Sequence, residues 1–417
     1  MGIALSAPFA ERRIKNMNIQ EYLAVEDVEW AEQVIRKISD KLLAVRERSA
    51  DKIPSGAIDG VYDDKMKEEG PLGRTKTFWT NGFWAGILLQ LYSVTDDGRY
   101  AEIARFTEDI LHDCLSEAEG LATHDIGYLF LPSAVLDHKI TGNAKALNDA
   151  SVAANLLAGR FNPAGNYIRA WNGDVLPGFA PGDPQMHTVG LAIIDCMLNL
   201  PLLYWASETT NDPRYRLIAM RHADTTMKNF IREDGSVIHI VEFNPETGAY
   251  INDFGGQGYQ KGSAWARGQS WGLYGFTASY KHTKKQEYLD TARKIAAFFI
   301  ANIPADGLIP EDFRQPKEPW AQDDIAACAA SCGLIELAGL VPEEEGRPYL
   351  DAALKMLKAI DAKSADWDPK TDGITMRGTT AYHVRDKIHG WNKNYVYADY
   401  FFIEAVLKLK GQGIYIW

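Results

Sequence analysis

The chain has 417 residues, of which 46% are hydrophobic, 11% aromatic and 24% charged. That composition supplies a large apolar core and excludes a disordered chain. The formal net charge of −12 argues against nucleic acid as a partner, because a phosphate backbone is met with clustered cations. The sequence contains no apolar run of about 18 residues, so no membrane span is expected.

The cysteines are Cys114, Cys196, Cys328 and Cys332. None forms a CxxC pair, and the last three lie in apolar, helix-like text. They read as reduced core thiols, which together with the absence of a basic leader predicts a cytoplasmic protein. Residues 1–20 read as a flexible tail that carries a loose myristoylation pattern, Met1-Gly2-x-x-x-Ser6. Residues 21–417 read as one domain, a monomer or weak homodimer.

In chain order, long apolar runs alternate with amphipathic ones. Three of the turns between them share Thr-x4-Tyr, at Thr95 to Tyr100, Thr210 to Tyr215 and Thr283 to Tyr288, with looser versions at Thr141 to Leu147 and Pro342 to Leu350. Runs such as FWAGILLQLYSV are apolar on nearly all sides and must be buried. The runs after the turns keep one apolar stripe, as in Leu289, Ala292, Ile295, Ala296 and Phe299. Buried helices are therefore expected near 80–95, 125–140, 188–207, 265–282, 323–340 and 395–410. Surface helices are expected near 26–48, 97–116, 144–160, 212–231, 285–302 and 346–362. Six inner and six outer helices predict an all-α (α/α)6 barrel, with an open superhelix as the alternative. The long loops entering the inner helices gather at one end, where sites are commonly built. One of them holds a short β-hairpin, Ser236–Phe243 and Ala249–Phe254, around a Pro/Gly turn.

Asp195 stands out as a carboxylate in the apolar run LAIIDCMLNLPLLYWA, with Asn199 one helical turn away. Apolar surroundings hold a carboxyl proton tightly, as acid catalysis near neutral pH requires. The structural alternative is an aspartate bonded to Asn199 or to backbone. Asp125, in THDIGY, is expected at a helix start, where a cap and the helix dipole would keep it ionised. The two would then form an acid/base pair. Arg267 and Trp271, one turn apart in WARGQSW, suit a carboxylate clasp and a stacking platform, or else a helix-end salt bridge and a core aromatic. Trp79 offers a second platform or a core aromatic. His239 and Gln257 are unremarkable on their own. No P-loop, HExxH, paired-cysteine zinc site, EF-hand loop or GxSxG elbow is present.

The strings WTNGFWAG, HDIGY, IIDCMLNLPLLYWAS and SAWARGQSWGLYGF resemble the unsaturated glucuronyl hydrolases of glycoside hydrolase family 88. The likeness runs from Trp79 to the last helix. It implies an (α/α)6 barrel and a substrate ending in a C4=C5 unsaturated uronic acid. It also implies a vinyl-ether hydration at C5 that needs neither metal nor organic cofactor. By position in these motifs, Asp195 is the general acid/base and Asp125 the second essential aspartate. Trp79, His124, His239, Gln257, Arg267 and Trp271 surround the sugar. The stretch Gly390–Tyr395 lacks the serines common in relatives that accept sulfated substrates. Competing readings are an unsaturated rhamnogalacturonyl hydrolase, a sugar 2-epimerase and a non-catalytic oligosaccharide-binding protein.

Overall fold

The computed structural model describes residues 18–67, 76–116, 121–173, 175–385 and 390–417. The helices alternate as their apolar patterns require. Gly82–Thr95, Ala266–Thr283, Asp324–Ala338 and Val396–Leu409 are buried over most of their length. Between and around them lie amphipathic helices, Val25–Arg48, Gly98–Cys114, Ala144–Ala158, Pro213–Phe230, Gln286–Ala301 and Glu343–Lys363. The first of these buries Ala31, Val34, Ile38, Lys41, Leu42 and Val45, a stripe at helical spacing.

Each inner element packs on the next, and Val396–Leu409 packs back on Gly82–Thr95. The ring is therefore closed, and Val25–Arg48 packs on Val396–Leu409. Polar contacts tie that helix to the last outer one, Glu343–Lys363: Lys37 Nζ meets Asp361 at 2.7 Å, and Trp30 Nε1 donates to the same carboxylate at 3.0 Å. Asp399, fully buried on the last inner helix, accepts from Thr375 N at 2.7 Å, Ile374 N at 3.1 Å, Asn394 Nδ2 at 2.9 Å and Tyr62 OH at 3.0 Å.

The repeated threonine has a physical role in the turns. Thr95, Thr141, Thr210 and Thr283 each donate a hydroxyl to the carbonyl four residues back, at 2.7–2.9 Å. Each also accepts from the backbone N–H two residues on. The hydroxyl thus ends one helix and orients the approach to the next. The residue between takes a left-handed conformation: Asp96, Gly142, Asn211 and Lys284 have φ of 56°, 73°, 55° and 56°.

Two inner helices depart from the expected spans. The 125–140 helix is widened by a π turn over Leu131–Val135, which contains Pro132. The 188–207 helix does not form as one. Leu191–Ile193 is a strand, Ile194–Leu198 a 3-10 turn, and the α-helix runs only over Pro201–Thr210. Proline lacks an N–H and suits the first helical turn, while the β-branched stretch before it finds partners in the hairpin. The hairpin forms as Ile240–Phe243 and Tyr250–Phe254, and Leu191–Ile193 joins it antiparallel, Ile193 opposite Ile240.

Residues 1–17 of the expected tail, with the Met-Gly pattern, lie outside the described residues. Ile19, also placed in that tail, is buried at the start of a helical turn, Ile19–Tyr22. Gln20 Nε2 donates to the Lys408 carbonyl at 3.1 Å. The four cysteines are buried and form no disulfide with one another. No helix among the described residues is long and apolar enough to cross a membrane.

Asp399→Ala is expected to destabilise the protein by at least about 3 kcal/mol, because it orphans several buried donors at once. Denaturant unfolding monitored by circular dichroism measures this.

Candidate active site

A cavity of about 120 Å³ opens at the rim where the outer-to-inner loops converge. Its walls are Trp79, His124, Asp125, Trp171, Ile193, Asp195, His239, Gln257 and Arg267. The fold thus gathers seven of the eight site residues singled out in the sequence.

Asp195 is held by backbone, not by a helix face. It sits in the 3-10 turn that follows the Leu191–Ile193 strand. Ile194 N donates to the His239 carbonyl at 3.0 Å, which ties the turn to the hairpin. Asn199 does not touch the carboxylate. Its Nδ2 donates to the Asp195 carbonyl at 3.1 Å and its Oδ1 accepts from Tyr128 N at 2.8 Å. Tyr128 OH donates to the same Asp195 carbonyl at 3.3 Å. The backbone is pinned while Oδ2 is left buried with no hydrogen-bond partner.

Burial, reinforced by the charge of Asp125, raises the Asp195 carboxyl from 3.8 to about 7. Asp125 corrects an expectation. It occupies the N-cap position of the Ile126–Phe130 helix but makes no side-chain cap bond. Burial raises it from 3.8 to about 6, because desolvation outweighs what five residues of helix supply. Of the two, Asp195 is pushed further toward its protonated form, because it also feels the charge of Asp125.

His239 shows how the loop chemistry is set. Gln257 N donates to Nδ1 at 3.0 Å, so Nε2 carries the proton of the neutral ring. Nε2 faces Asp195 Oδ2 at 3.7 Å. Burial lowers the ring to about 3, so it stays uncharged at neutral pH. Gly256 makes this approach feasible: its φ is +60°, and a Cβ there would sit 2.1 Å from His239 Nδ1. Asp183 anchors the loop, accepting from Gly255 N and Gly256 N at 2.9 and 3.0 Å. His124 is likewise lowered to about 3 by burial. Its Nδ1 is buried without a partner, and its Nε2 lies 3.5 Å from Asp125 Oδ1.

Arg267 reaches the cavity but is already engaged. Its Nη1 meets Asp323 Oδ2 at 3.1 Å and the Thr379 carbonyl at 2.8 Å, and its Nη2 meets the Thr380 carbonyl at 2.6 Å. Burial alone would lower its pKa, but Asp323 and neighbouring groups leave it raised. The helix-end salt bridge considered from sequence is therefore present. Gln257 Nε2 donates to Thr380 O at 2.7 Å, so both side chains hold the same loop. Trp79 lines the cavity, edge-on to Tyr397 at 4.5 Å between centroids and tilted against Tyr128 at 5.5 Å.

Trp271 is the exception among the expected residues. It does not line the cavity and is 1% exposed. Its ring lies behind the wall, against Tyr128 and Phe401 at 5.6 and 5.5 Å. It faces the aromatic core because the helix turns it inward past Arg267. Trp171 and Ile193 line the cavity and were not singled out as site residues. Trp171 had one signal, its place in a Gly/Pro-bearing rim loop. Ile193 had none, because its facing depends on strand pairing. Among the described residues no group of three His, Cys, Asp or Glu side chains is placed to hold a metal ion.

The rim of a closed helical toroid thus brings together two raised carboxyls, neutral histidines and aromatic walls. Comparison with known proteins sharpens this. The profile of Glycosyl Hydrolase Family 88 matches residues 55–297. The unsaturated glucuronyl hydrolase of Bacillus sp. (strain GL1) is 37% identical over 338 residues, 80% of this chain and 86% of that one. Its crystal structure aligns with a TM-score of 0.82 at 34% identity, covering 91% of this chain and 97% of that one. The unsaturated chondroitin disaccharide hydrolase of Streptococcus pneumoniae is 31% identical, over 83% of this chain and 87% of that one. A further solved structure, with dGlcA-Glc-Rha-Glc, aligns at TM-score 0.81 and 34% identity, covering 91% and 96%. The chain belongs to glycoside hydrolase family 88, and it is a glycoside hydrolase.

Asp323→Ala is expected to cost about 3–5 kcal/mol of stability, because it leaves the Arg267 cation buried and unpaired. Thermal melts of the variant check it. A change below about 1 kcal/mol, the scale of an exposed pair, would mean that the ion pair is solvated.

Proposed function

We propose that the protein removes a C4=C5 unsaturated uronic acid from the non-reducing end of lyase-generated oligosaccharides, with Asp195 as general acid and then general base. The observation that carries this reading is the Asp195 carboxyl itself. It is buried at a sugar-sized rim cavity, raised to about 7, with one oxygen unpartnered. The relatives named above as hydrolases of unsaturated glucuronyl and chondroitin saccharides supply the substrate class.

The substrate is an enol ether, so protonation falls on carbon. Asp195 gives its proton to C4, and positive charge develops at C5 and the ring oxygen. Asp195 is now a carboxylate. It takes a proton from water as that water's oxygen bonds to C5. The resulting hemiketal opens and releases the remaining saccharide. No bond at the anomeric carbon is displaced directly, so carboxyl separation does not set a stereochemical outcome here. The ionised Asp125 favours the developing positive charge. The His239 Nε2–H, aimed at Asp195 Oδ2, steadies the carboxylate formed after proton transfer. Trp79 and Trp171 offer faces to the planar unsaturated ring. The buried cysteines, which form no disulfide, suit a reducing compartment, and we place the protein in the cytoplasm on that ground.

Asp195→Asn is expected to lower kcat by at least ~10²-fold, the scale of a lost general acid. Loss of the substrate's ultraviolet absorbance as the double bond is consumed reports the rate, and near-normal turnover would refute the mechanism. Stability should move the other way. Because the folded carboxyl sits above its ordinary 3.8, the native state binds more protons than the unfolded chain between about pH 4 and 7, and stability falls as pH rises through that window. Asp195→Asn should therefore melt higher than the parent protein at pH 8, with the gain shrinking toward pH 4. The kcat/KM profile should be a bell whose limbs lie near 6 and 7, the values of Asp125 and Asp195. A flat profile from pH 5 to 8 would separate these carboxyls from the rate.

A further inference from the structure

Arg160 and Arg169 stand side by side without a carboxylate. Arg160 follows the Ala144–Ala158 helix, and Arg169 follows the short hairpin of Phe161–Asn162 and Tyr167–Ile168. Both line a hollow of about 250 Å³. No Asp or Glu is among its described lining residues, although the chain as a whole carries a net charge of −12. Arginines elsewhere are matched: Arg46 by Asp97, Arg48 by Asp372 and Arg293 by Glu345. Here neutral acceptors hold the guanidiniums. Arg160 Nε donates to the Arg169 carbonyl at 2.9 Å, and its Nη2 to the Ala170 carbonyl at 3.1 Å. Arg160 Nη1 and Arg169 Nη2 share one acceptor, Asn172 Oδ1, at 3.0 and 2.6 Å.

Two cations on one neutral acceptor repel each other. Burial, and then the charge of Arg169, lower the Arg160 guanidinium to about 10. Each guanidinium carries five N–H donors in fixed directions. Three of Arg160 and one of Arg169 are bonded to protein, which leaves two and four. A carboxylate offers two oxygens to such an array, while a phosphate or sulfate group offers at least three and can meet both forks at once. The hollow is wider than such an ion. Phe161, Pro163 and Val189 line the rest of it.

The pair also belongs to the segment that builds the catalytic wall. Trp171 lies between Ala170 and Asn172, both of which Arg160 grips. The same segment holds the residues opposite: His124 N donates to the Ala170 carbonyl at 2.8 Å, and Asn172 N to the Ala122 carbonyl at 3.0 Å. The charge of Arg160 reaches the site as well, because it works against burial on Asp125.

We propose that Arg160 and Arg169 form a binding site for a tetrahedral oxyanion, phosphate or sulfate, free or carried on an ester, and that its occupant tunes the catalytic cavity through Arg160. The site is separate from that cavity, which neither arginine lines. Its existence does not rest on the hydrolase reading; its link to catalysis does. A bound anion cancels part of the Arg160 charge that favours ionised Asp125, so Asp125 keeps its proton to higher pH. Asp125 is also faced by His124 beside it and by Asp195 and Cys196 from the 3-10 turn. None of these three lines the hollow, so Arg160 is the route of the effect.

Isothermal titration calorimetry of the whole protein with sulfate, phosphate and glucose 6-phosphate, at an ionic strength fixed with chloride, tests the site. Sulfate and phosphate should each bind with a Kd of about 1 mM or tighter, as several charge-assisted hydrogen bonds provide. Arg169→Gln should weaken them at least about 10-fold, because it removes most of the unused donors. Tighter binding of glucose 6-phosphate than of phosphate identifies an esterified occupant, and weaker binding identifies the free ion. No binding up to about 50 mM, or the same affinity in Arg169→Gln, overturns the proposal. In turnover of an unsaturated disaccharide, saturating sulfate should move the acidic limb of the kcat/KM profile up by about 0.3 pH unit or more, below the ~1 unit of a charge in direct contact. Arg169→Gln should abolish that movement. A limb that sulfate leaves in place overturns the link to the cavity. If the disaccharide keeps its double bond under every condition, the hydrolase reading fails, and calorimetry still decides the site.

Discussion

The antiparallel pairing of Leu191–Ile193 with Ile240–Phe243 sets the position of the chemistry. It draws the chain before Pro201 out of helix and delivers Asp195 to the cavity wall on a tight turn. The same hairpin carries His239, so the carboxyl and the imidazole that faces it move as one unit. Asn199 and Tyr128 then hold the Asp195 backbone from the barrel side. A carboxyl held through its main chain keeps its oxygens for the substrate. One held through its oxygens would not.

The second constraint is electrostatic. Low-dielectric surroundings act on both carboxyls and both histidines in the same direction, toward the neutral form. Arg160 and Arg267 pull the other way on Asp125 and Asp195, but by less than burial pushes. Arg267, the guanidinium in the wall, is matched by Asp323. The proton therefore stays on Asp195 up to about pH 7, where in water it would leave near 4. A group kept in this state weakens the fold at higher pH, so the site trades stability for reactivity.

The loop around Thr379–Ala381 joins the cavity to a second hollow, which shares Trp171 and Gln257 with it. Arg267 and Gln257 both bond the loop carbonyls, and the same segment lines that second hollow. Side chains that read in sequence as ligand contacts thus also frame the entrance. The aromatic pair Trp171 and Phe179 forms the opposite wall, from a loop whose Gly and Pro residues gave no helical or strand period.

Asp195 was conspicuous in the sequence because it is one charge in an apolar run, and burial of that run makes its raised pKa follow from composition alone. The alternation of apolar and amphipathic helices was also legible, because a helix apolar on all sides has no place but inside a ring of others. Even the threonine turns were visible as a repeat, although their dual hydrogen bonding was not. What only the tertiary structure decided were facings and partners. Residues 188–200 carry an apolar pattern that fits helix or strand equally, and the hairpin contributed the backbone partners that chose strand. Asp125 is raised rather than held low because desolvation comes from the whole barrel, while the cap and dipole that the sequence displays are local. Trp271 lies one turn from Arg267, yet it faces the core. The sequence sets that spacing, and only the packed neighbours determine which side of the wall a ring occupies.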